Sequence, residues 1–475
     1  MDDCVTGDLL RRDAVDIIAT VASGALSAAE LMQATLARIA AVNPAVNALV
    51  SLRSADDLMA EAQAVDAAPR SGALAGLPMA VKDLVATAGI RTTWGSPLFA
   101  DHVPDRDDLL AARLRAAGAI LIGKSNVPEY GLGSHSFNPV FGVTRNPYDL
   151  GLSAGGSSGG AAAALATGMV ALADGSDMMG SLRNPAAFCN VYGFRPTWDL
   201  VPAEPYGDTF LHVMSTEGPM ARSPRDLALL LGVIAGPDLR LPHSRPVEDY
   251  RPQPGQSLKG MRIGWLGNWG NDYPVQPGIL PLCEAALQTM VGLGATVEAV
   301  KPPFPAAKLW ESWTMLRSWA VAMSKRDPYR DPAKRAQMKP ELIWEVERGL
   351  ALSAEAVHDA SMIRSDWYAT LAKLFTRLDA LALPSAQVWP FPADWRYPAA
   401  INGRRMDTYH RWMEVVVPVA LAGVPALAVP AGFGDAGLPM GMQLFAAAGQ
   451  DRALLQWGQS YHEATNWPGK FPPQL

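Results

Sequence analysis

The chain has 475 residues, 49% hydrophobic and 18% charged, with a formal net charge of −6. Such a length suits two or three average domains or one large α/β fold, and the apolar content is ample for a large core. The acidic balance gives no electrostatic footprint for nucleic acid, and three widely spaced cysteines (Cys4, Cys189, Cys283) argue against a disulfide framework or a zinc site.

A cytoplasmic setting is therefore expected, and the acidic start Met1-Asp2-Asp3-Cys4 does not read as a signal peptide. The most apolar stretch, Ala161 to Ala173, is too short to cross a bilayer and is interrupted by Gly168. No membrane partner is expected.

In chain order, Ser27 and Glu30 have capping-box spacing, and the apolar period that follows predicts a helix stopped by Asn43-Pro44. A second helix is predicted over Ser54 to Ala67, a short buried strand over Gly76 to Leu84, a helix over Asp107 to Ala117 and a strand over Ala119 to Gly123. A loop runs on to Pro147. From Ala119 onward short apolar runs alternate with helical patterns, which favours a mixed or parallel sheet between helices. Later elements are helices over Leu227 to Ile234 and Pro281 to Leu293, and strands over Gly260 to Trp265, Thr296 to Val300, Ala380 to Pro384 and Ala426 to Pro430. Residues 306 to 378 read as largely helical. Pro237 to Gly255 fits an interdomain linker or a long surface loop. The loop with Trp389, Phe391, Trp395 and Tyr397 fits either a substrate entrance or aromatics tucked into the core.

Chemistry concentrates in Gly151 to Thr197, where Gly155-Gly156-Ser157-Ser158-Gly159-Gly160 and Gly175-Ser176-Asp177-Met178-Met179-Gly180-Ser181 flank an alanine-rich run. Glycines let the backbone turn tightly and aim amides at a ligand, and serine supplies a nucleophile or proton carrier. Each loop also reads as a structural turn. Lys82 interrupts an apolar strand; burial would lower its pKa and make it a base, although it equally suits a strand end paired with Asp83. The seven histidines (His102, His135, His212, His243, His358, His410, His462) have no hydrolase context. The letters G-x-S-x-G occur around Ser153 and Ser157, but turn-like Asn146 to Asp149 leaves no strand for a nucleophile elbow. No H-E-x-x-H pattern is present, and neither a metal nor a cofactor is expected.

Together these residues resemble the amidase signature family. Gly155 to Gly160, Ala161 to Gly168, Gly175 to Arg183 and Pro185 to Cys189 occupy its signature, and Ser181 follows Ser157 by 24 residues, the spacing of the family's two catalytic serines. Gly76 to Asp83 resembles its catalytic-lysine strand. Similarity extends through Ser27 to Ala48, Gly123 to Asn126 with Glu129, Gly142 to Pro147, Gly218 to Ser223, Gly423 to Ala426 and Gly437 to Gln443.

The resemblance implies an α/β fold with a large mixed, twisted β-sheet core covered by α-helices on both faces. It implies a single domain over residues 1–475, with a signature core at about 70–225 and a C-terminal half, 256–475, completing the sheet and the substrate entrance. By position, Ser181 is the nucleophile, Ser157 the bridging serine on a cis peptide, and Lys82 the terminal base. Amides of Met178, Met179, Gly180 and Ser181 form the oxyanion site; Gly131, Leu132, Gly133 and Met179 border the substrate. Asp177 and Arg183 brace the loops, and Cys189 is a small core residue. The departure is Met178-Met179, where the family usually carries Thr-Gly or a small pair, and at least one methionine is expected to face the acyl pocket.

The implied activity is hydrolysis of a carboxamide of a fairly apolar molecule, with esters and carbamates open to the same acyl-enzyme chemistry. The alternative is a glutamine-hydrolysing A-type component of a tRNA-linked amidotransferase, working with a partner protein. A homodimer is compatible with the resemblance.

Overall fold

The computed structural model describes residues 9–68, 71–211 and 214–475. Cys4, His212 and the Met1-Asp2-Asp3-Cys4 start lie outside the described residues.

Helix α1 (Ala28–Val46) begins at the capping box: Ser27 Oγ accepts the Glu30 N–H while the Glu30 carboxylate accepts the Ser27 N–H. It does not stop at Asn43-Pro44. Pro44 sits in the last turn, and the helix ends two residues later at Val46, capped by Asn47, whose φ of 55° is left-handed. The Asn43 side chain then accepts the N–H groups of Ala48 and Leu49, which supports the exit.

A small sheet follows. Its strands β1 (Leu49–Val50), β2 (Pro78–Lys82) and β3 (Ile120–Ser125) lie in the order β1-β3-β2, with β2 and β3 parallel. Its neighbour is α2 (Gly159–Ala166), the alanine-rich helix, every residue of which is buried. Small side chains let it approach closely. A Cβ on Gly160 would stand only 2.3 Å from the Asn126 nitrogen.

The main sheet uses β4 (Leu172–Asp177), β5 (Tyr192–Arg195), β6 (Thr216–Ala221), β7 (Arg262–Trp265), β8 (Thr296–Ala299), β9 (Ala380–Pro384), β10 (Ala426–Phe433) and β11 (Pro439–Phe445). These eight strands run in the order β8-β7-β9-β11-β10-β5-β6-β4. Pairing is mixed: β7 is parallel to β8 and β9, whereas β6 is antiparallel to β4 and β5. All residues of β9 and β11 are buried, so both sheet faces are covered, as continuous apolar runs in such strands require. The cover includes helices α3 (Arg183–Phe188), Pro224–Ile234, Ile279–Gly292 and Asp451–Thr465. Further out lie α4 (Ala306–Arg330) and α5 (Pro340–Leu350). The stretch 237–255 is irregular and lies between the helix Pro224–Ile234 and strand β7.

Among the described residues, no helix is long and apolar enough to cross a membrane.

Candidate active site

Lys82 is the last residue of β2, fully buried, where the small sheet meets edge strand β4 of the large one. Its backbone N–H is held by both carboxylate oxygens of Asp174, at 3.0 and 3.2 Å. Its Nζ reaches Ser157 Oγ at 2.9 Å, Ser158 Oγ at 2.8 Å and Ser176 Oγ at 2.9 Å. Among the described residues no ion pair joins Lys82 to Asp83, which lies in the turn just after β2. Asp83 faces away and accepts from Thr93 N–H at 3.0 Å and Thr93 Oγ1 at 2.5 Å.

Burial lowers the Lys82 pKa to about 8, against the opposing pull of Glu217, Asp174 and Asp177. Near neutrality a useful fraction is therefore free amine. Lys124 is also buried and lowered to about 8, but its Nζ donates to the Val85 carbonyl and Thr87 Oγ1 and meets no signature serine.

Ser157 follows a cis Gly156-Ser157 peptide immediately before α2. A hydrogen bond from the Ser158 N–H to the Ser181 carbonyl, 3.2 Å, ties the two signature loops together. Ser157 and Ser181 both line a cavity of about 250 Å³, with Gly131, Leu132, Gly133, Met178 and Met179 also on its wall. Both methionines thus face the cavity. Met179 is buried, and Met178 Sδ contacts Arg317 Nη1 of α4 at 3.2 Å. A larger cleft of about 880 Å³ shares no lining residue with this cavity, and Arg225 within it is already paired with Asp13 and Asp16.

The Asp177 carboxylate organises the turn that carries Ser181. It receives Arg183 in a bidentate pair at 2.9 and 3.0 Å, Arg195 at 3.3 Å, and the Gly180 N–H at 2.8 Å. Burial alone would raise its pKa, but the two guanidiniums hold it well below the usual carboxylate range. Here the structure corrects the expected oxyanion set. The Gly180 amide is already taken by Asp177, so it is not a free donor. Among the described residues, the N–H groups of Met178, Met179 and Ser181 donate to no protein acceptor. Gly180 itself has φ +80°, and a Cβ there would lie 2.2 Å from Asn184 Oδ1.

One further expectation changes. A strand does precede the Ser157 loop: Asp149–Ser153 pairs with Arg145–Asn146 in a two-stranded ribbon, because Asn146 to Asp149 closes a hairpin rather than excluding one. Ser153, in that ribbon, meets His135 Nδ1 at 2.7 Å while His135 Nε2 contacts the Ala393 carbonyl at 3.2 Å. Both residues are buried outside the serine cavity, and burial lowers His135 to about 4, so the pair is a structural pin. None of Trp389, Phe391, Trp395 and Tyr397 lines the cavity; Phe391 is buried in the core, and Trp395 is 49% exposed. The cavity wall is supplied instead by α4 through Arg317, Val321, Ser324 and Lys325. Cys189 is buried, with its thiol pushed up by burial.

Sequence reasoning missed Glu217. It stands opposite Ser176 across the β4–β6 pair, and its Oε2 is buried without a protein hydrogen bond among the described residues. Burial raises its pKa to about 8, the nearby Lys82 charge opposing this. The available signal was one charge in the otherwise uncharged segment Thr216 to Ala221.

The family model for amidases matches residues 30–455, and the chain belongs to the amidase signature family. It is 35% identical to the A-type component of the glutamyl-tRNA(Gln) amidotransferase of Thermosynechococcus vestitus, over 94% of this chain and 96% of that one. It is 32% identical to an acylamidase of Rhodococcus erythropolis, over 97% and 96%. Among solved structures, a bacterial aryl acylamidase of the same family superposes with TM-score 0.91 at 29% identity, covering 98% of this chain and 99% of the other.

Proposed function

We propose that this chain hydrolyses a carboxamide of a fairly apolar small molecule through an acyl-enzyme on Ser181. The observation that carries this reading is the 2.9 Å contact between Lys82 Nζ and Ser157 Oγ, on a cavity that Ser181 also lines. Neutral Lys82 accepts the Ser157 proton as Ser157 accepts that of Ser181, and Ser181 Oγ adds to the amide carbonyl. The developing oxyanion is met by free amides among Met178, Met179 and Ser181, each worth about 3 kcal/mol in comparable sites. The relay then returns a proton to the leaving amine, and water cleaves the ester. Leu84, Leu132, Val321, Leu342 and Met413 give the cavity apolar walls suited to an aryl or alkyl group. The same chemistry extends to esters and carbamates.

A panel of aryl amides, alkyl amides, esters and carbamates, assayed with and without Ser181→Ala, tests this reading; turnover that survives Ser181→Ala overturns it.

The second reading, a glutamine-hydrolysing component of a tRNA-linked amidotransferase, is favoured by the 35% identity to the Thermosynechococcus vestitus protein. Structural similarity supports the first: TM-score is 0.91 to the aryl acylamidase and 0.76 to the corresponding amidotransferase component of Thermotoga maritima. Ammonia release from glutamine, stimulated by added partner proteins, would favour the second.

A further inference from the structure

Arg317, Val321, Ser324 and Lys325 form one stripe of α4, at i, i+4, i+7 and i+8, along the wall of the serine cavity. The first of them is occupied. Arg317 donates to Glu345 Oε1 at 2.6 Å and to the Tyr409 hydroxyl at 2.8 Å, and its third arm rests on Met178. The last is different. Lys325 is half-buried, its ammonium lies 4.3 Å from the centroid of the Tyr130 ring, and among the described residues no hydrogen bond or ion pair joins it to a carboxylate. The acid acting on it most strongly, Glu129, is engaged elsewhere: it accepts from Ser96 Oγ at 2.7 Å and from the Lys339 N–H at 3.1 Å.

Among the described residues, the cavity lining includes Arg317 and Lys325 but no Asp or Glu. A chamber with apolar walls, an ammonium at one end and no acid in its lining concentrates anions. Tyr130 places that ammonium close to the chemistry. Its neighbour Gly131 is packed so near the relay that a Cβ there would lie 3.5 Å from Ser157 Oγ. Lys325 is also two turns, roughly 12 Å of helix axis, beyond Arg317, which touches the nucleophile's loop.

We infer that Lys325 is a substrate-recognition residue, and that the cavity takes amides whose apolar body ends in a carboxylate. With Arg317 engaged, one ammonium suits a monoanionic carboxylate better than a dianionic phosphate. This rests on the amidase reading above and narrows its substrate class.

The test uses two matched pairs of anilides. On the acyl side, the mono-4-nitroanilide of adipic acid is compared with hexanoyl 4-nitroanilide. On the amine side, 4-acetamidobenzoate is compared with 4-methylacetanilide. Each pair is assayed with the unmodified enzyme, Lys325→Met and Lys325→Arg. The expected result, on at least one side, is a kcat/KM about tenfold higher for the acid, as one partly buried ion pair provides. Lys325→Met removes that preference, Lys325→Arg retains it, and added salt weakens it. Turnover of the anilides without preference for either acid, or a preference that survives Lys325→Met, overturns the inference. A second measurement does not need turnover: calorimetric binding of the two acids to Ser181→Ala, with and without Lys325→Met. Failure of both acids to bind, or binding unchanged by Lys325→Met, overturns it equally. Lys325-dependent binding with no turnover of any anilide would leave the anion site standing and remove the amidase reading instead.

Discussion

Lys82 Nζ stands 2.9 Å from Ser157 Oγ, although one residue ends a strand of the small sheet and the other precedes a helix 75 positions later in the chain. Two more hydroxyls, of Ser158 and Ser176, complete the shell around that amine. An ammonium can donate to all three, and a free amine can accept from one, so the shell tolerates both states that a proton relay visits.

Loss of Ser181, the proposed nucleophile, gives the plainest expectation. Ser181→Ala should lower kcat by about 10⁴-fold or more, because members of such a relay act as one unit. Ser157→Ala should cost a comparable factor, and the double variant little beyond either single one. Steady-state kinetics on one turned-over anilide decides this. Additive losses would mean that the two serines do not share a relay.

The Lys82 shift fixes a pH dependence. In the proposed relay the reactive form is the free amine, so kcat/KM should rise with pH through an inflection near 8 and level off above it. A profile flat between about pH 6 and 9 would contradict a lysine base. Lys82→Ala should abolish both the activity and the inflection.

Glu217 should tune that inflection. Its carboxylate favours the charged form of Lys82, so Glu217→Gln should move the inflection to lower pH. The sign follows because the share of Glu217 that is ionised at the inflection favours the ammonium, whereas the glutamine amide carries no charge. A merely structural glutamate would leave the inflection in place while lowering the melting temperature. Glu217→Asp should recover part of the original profile.

Asp177 should matter for stability as well as catalysis. Asp177→Asn removes the carboxylate that the buried Arg183 and Arg195 share, a change that costs about 3–5 kcal/mol in buried pairs. Urea unfolding measures it. The native Asp177 pKa lies below its unfolded value, so this stability is present above the unfolded pKa and is lost as pH falls toward the folded one. Asp177→Asn should flatten that acid limb.

Much of this was legible along the chain. The capping box at Ser27 and Glu30, the buried strand before Lys82 and the strand at Ala380 to Pro384 are local patterns, and local patterns follow from propensity and periodicity. Pro44 misled because a proline in a last turn removes only one backbone donor, and Asn43 and Asn47 support the exit. The hairpin before Ser157 was hidden because the same turn residues either end or reverse a strand.

By itself, then, the sequence determined the family, the mixed α/β class and which lysine and serines stand in the signature positions, since glycine loops, an alanine helix and fixed spacings are written in order along the chain. Only the tertiary structure decided which groups meet. Asp177 takes the Gly180 amide, Glu217 is set opposite Ser176, and helix α4, more than 120 residues beyond Ser181, supplies Arg317 and Lys325 to the cavity. The reason is physical. Hydrogen bonds and charges act over a few ångströms of space, and separation along the chain carries no record of them.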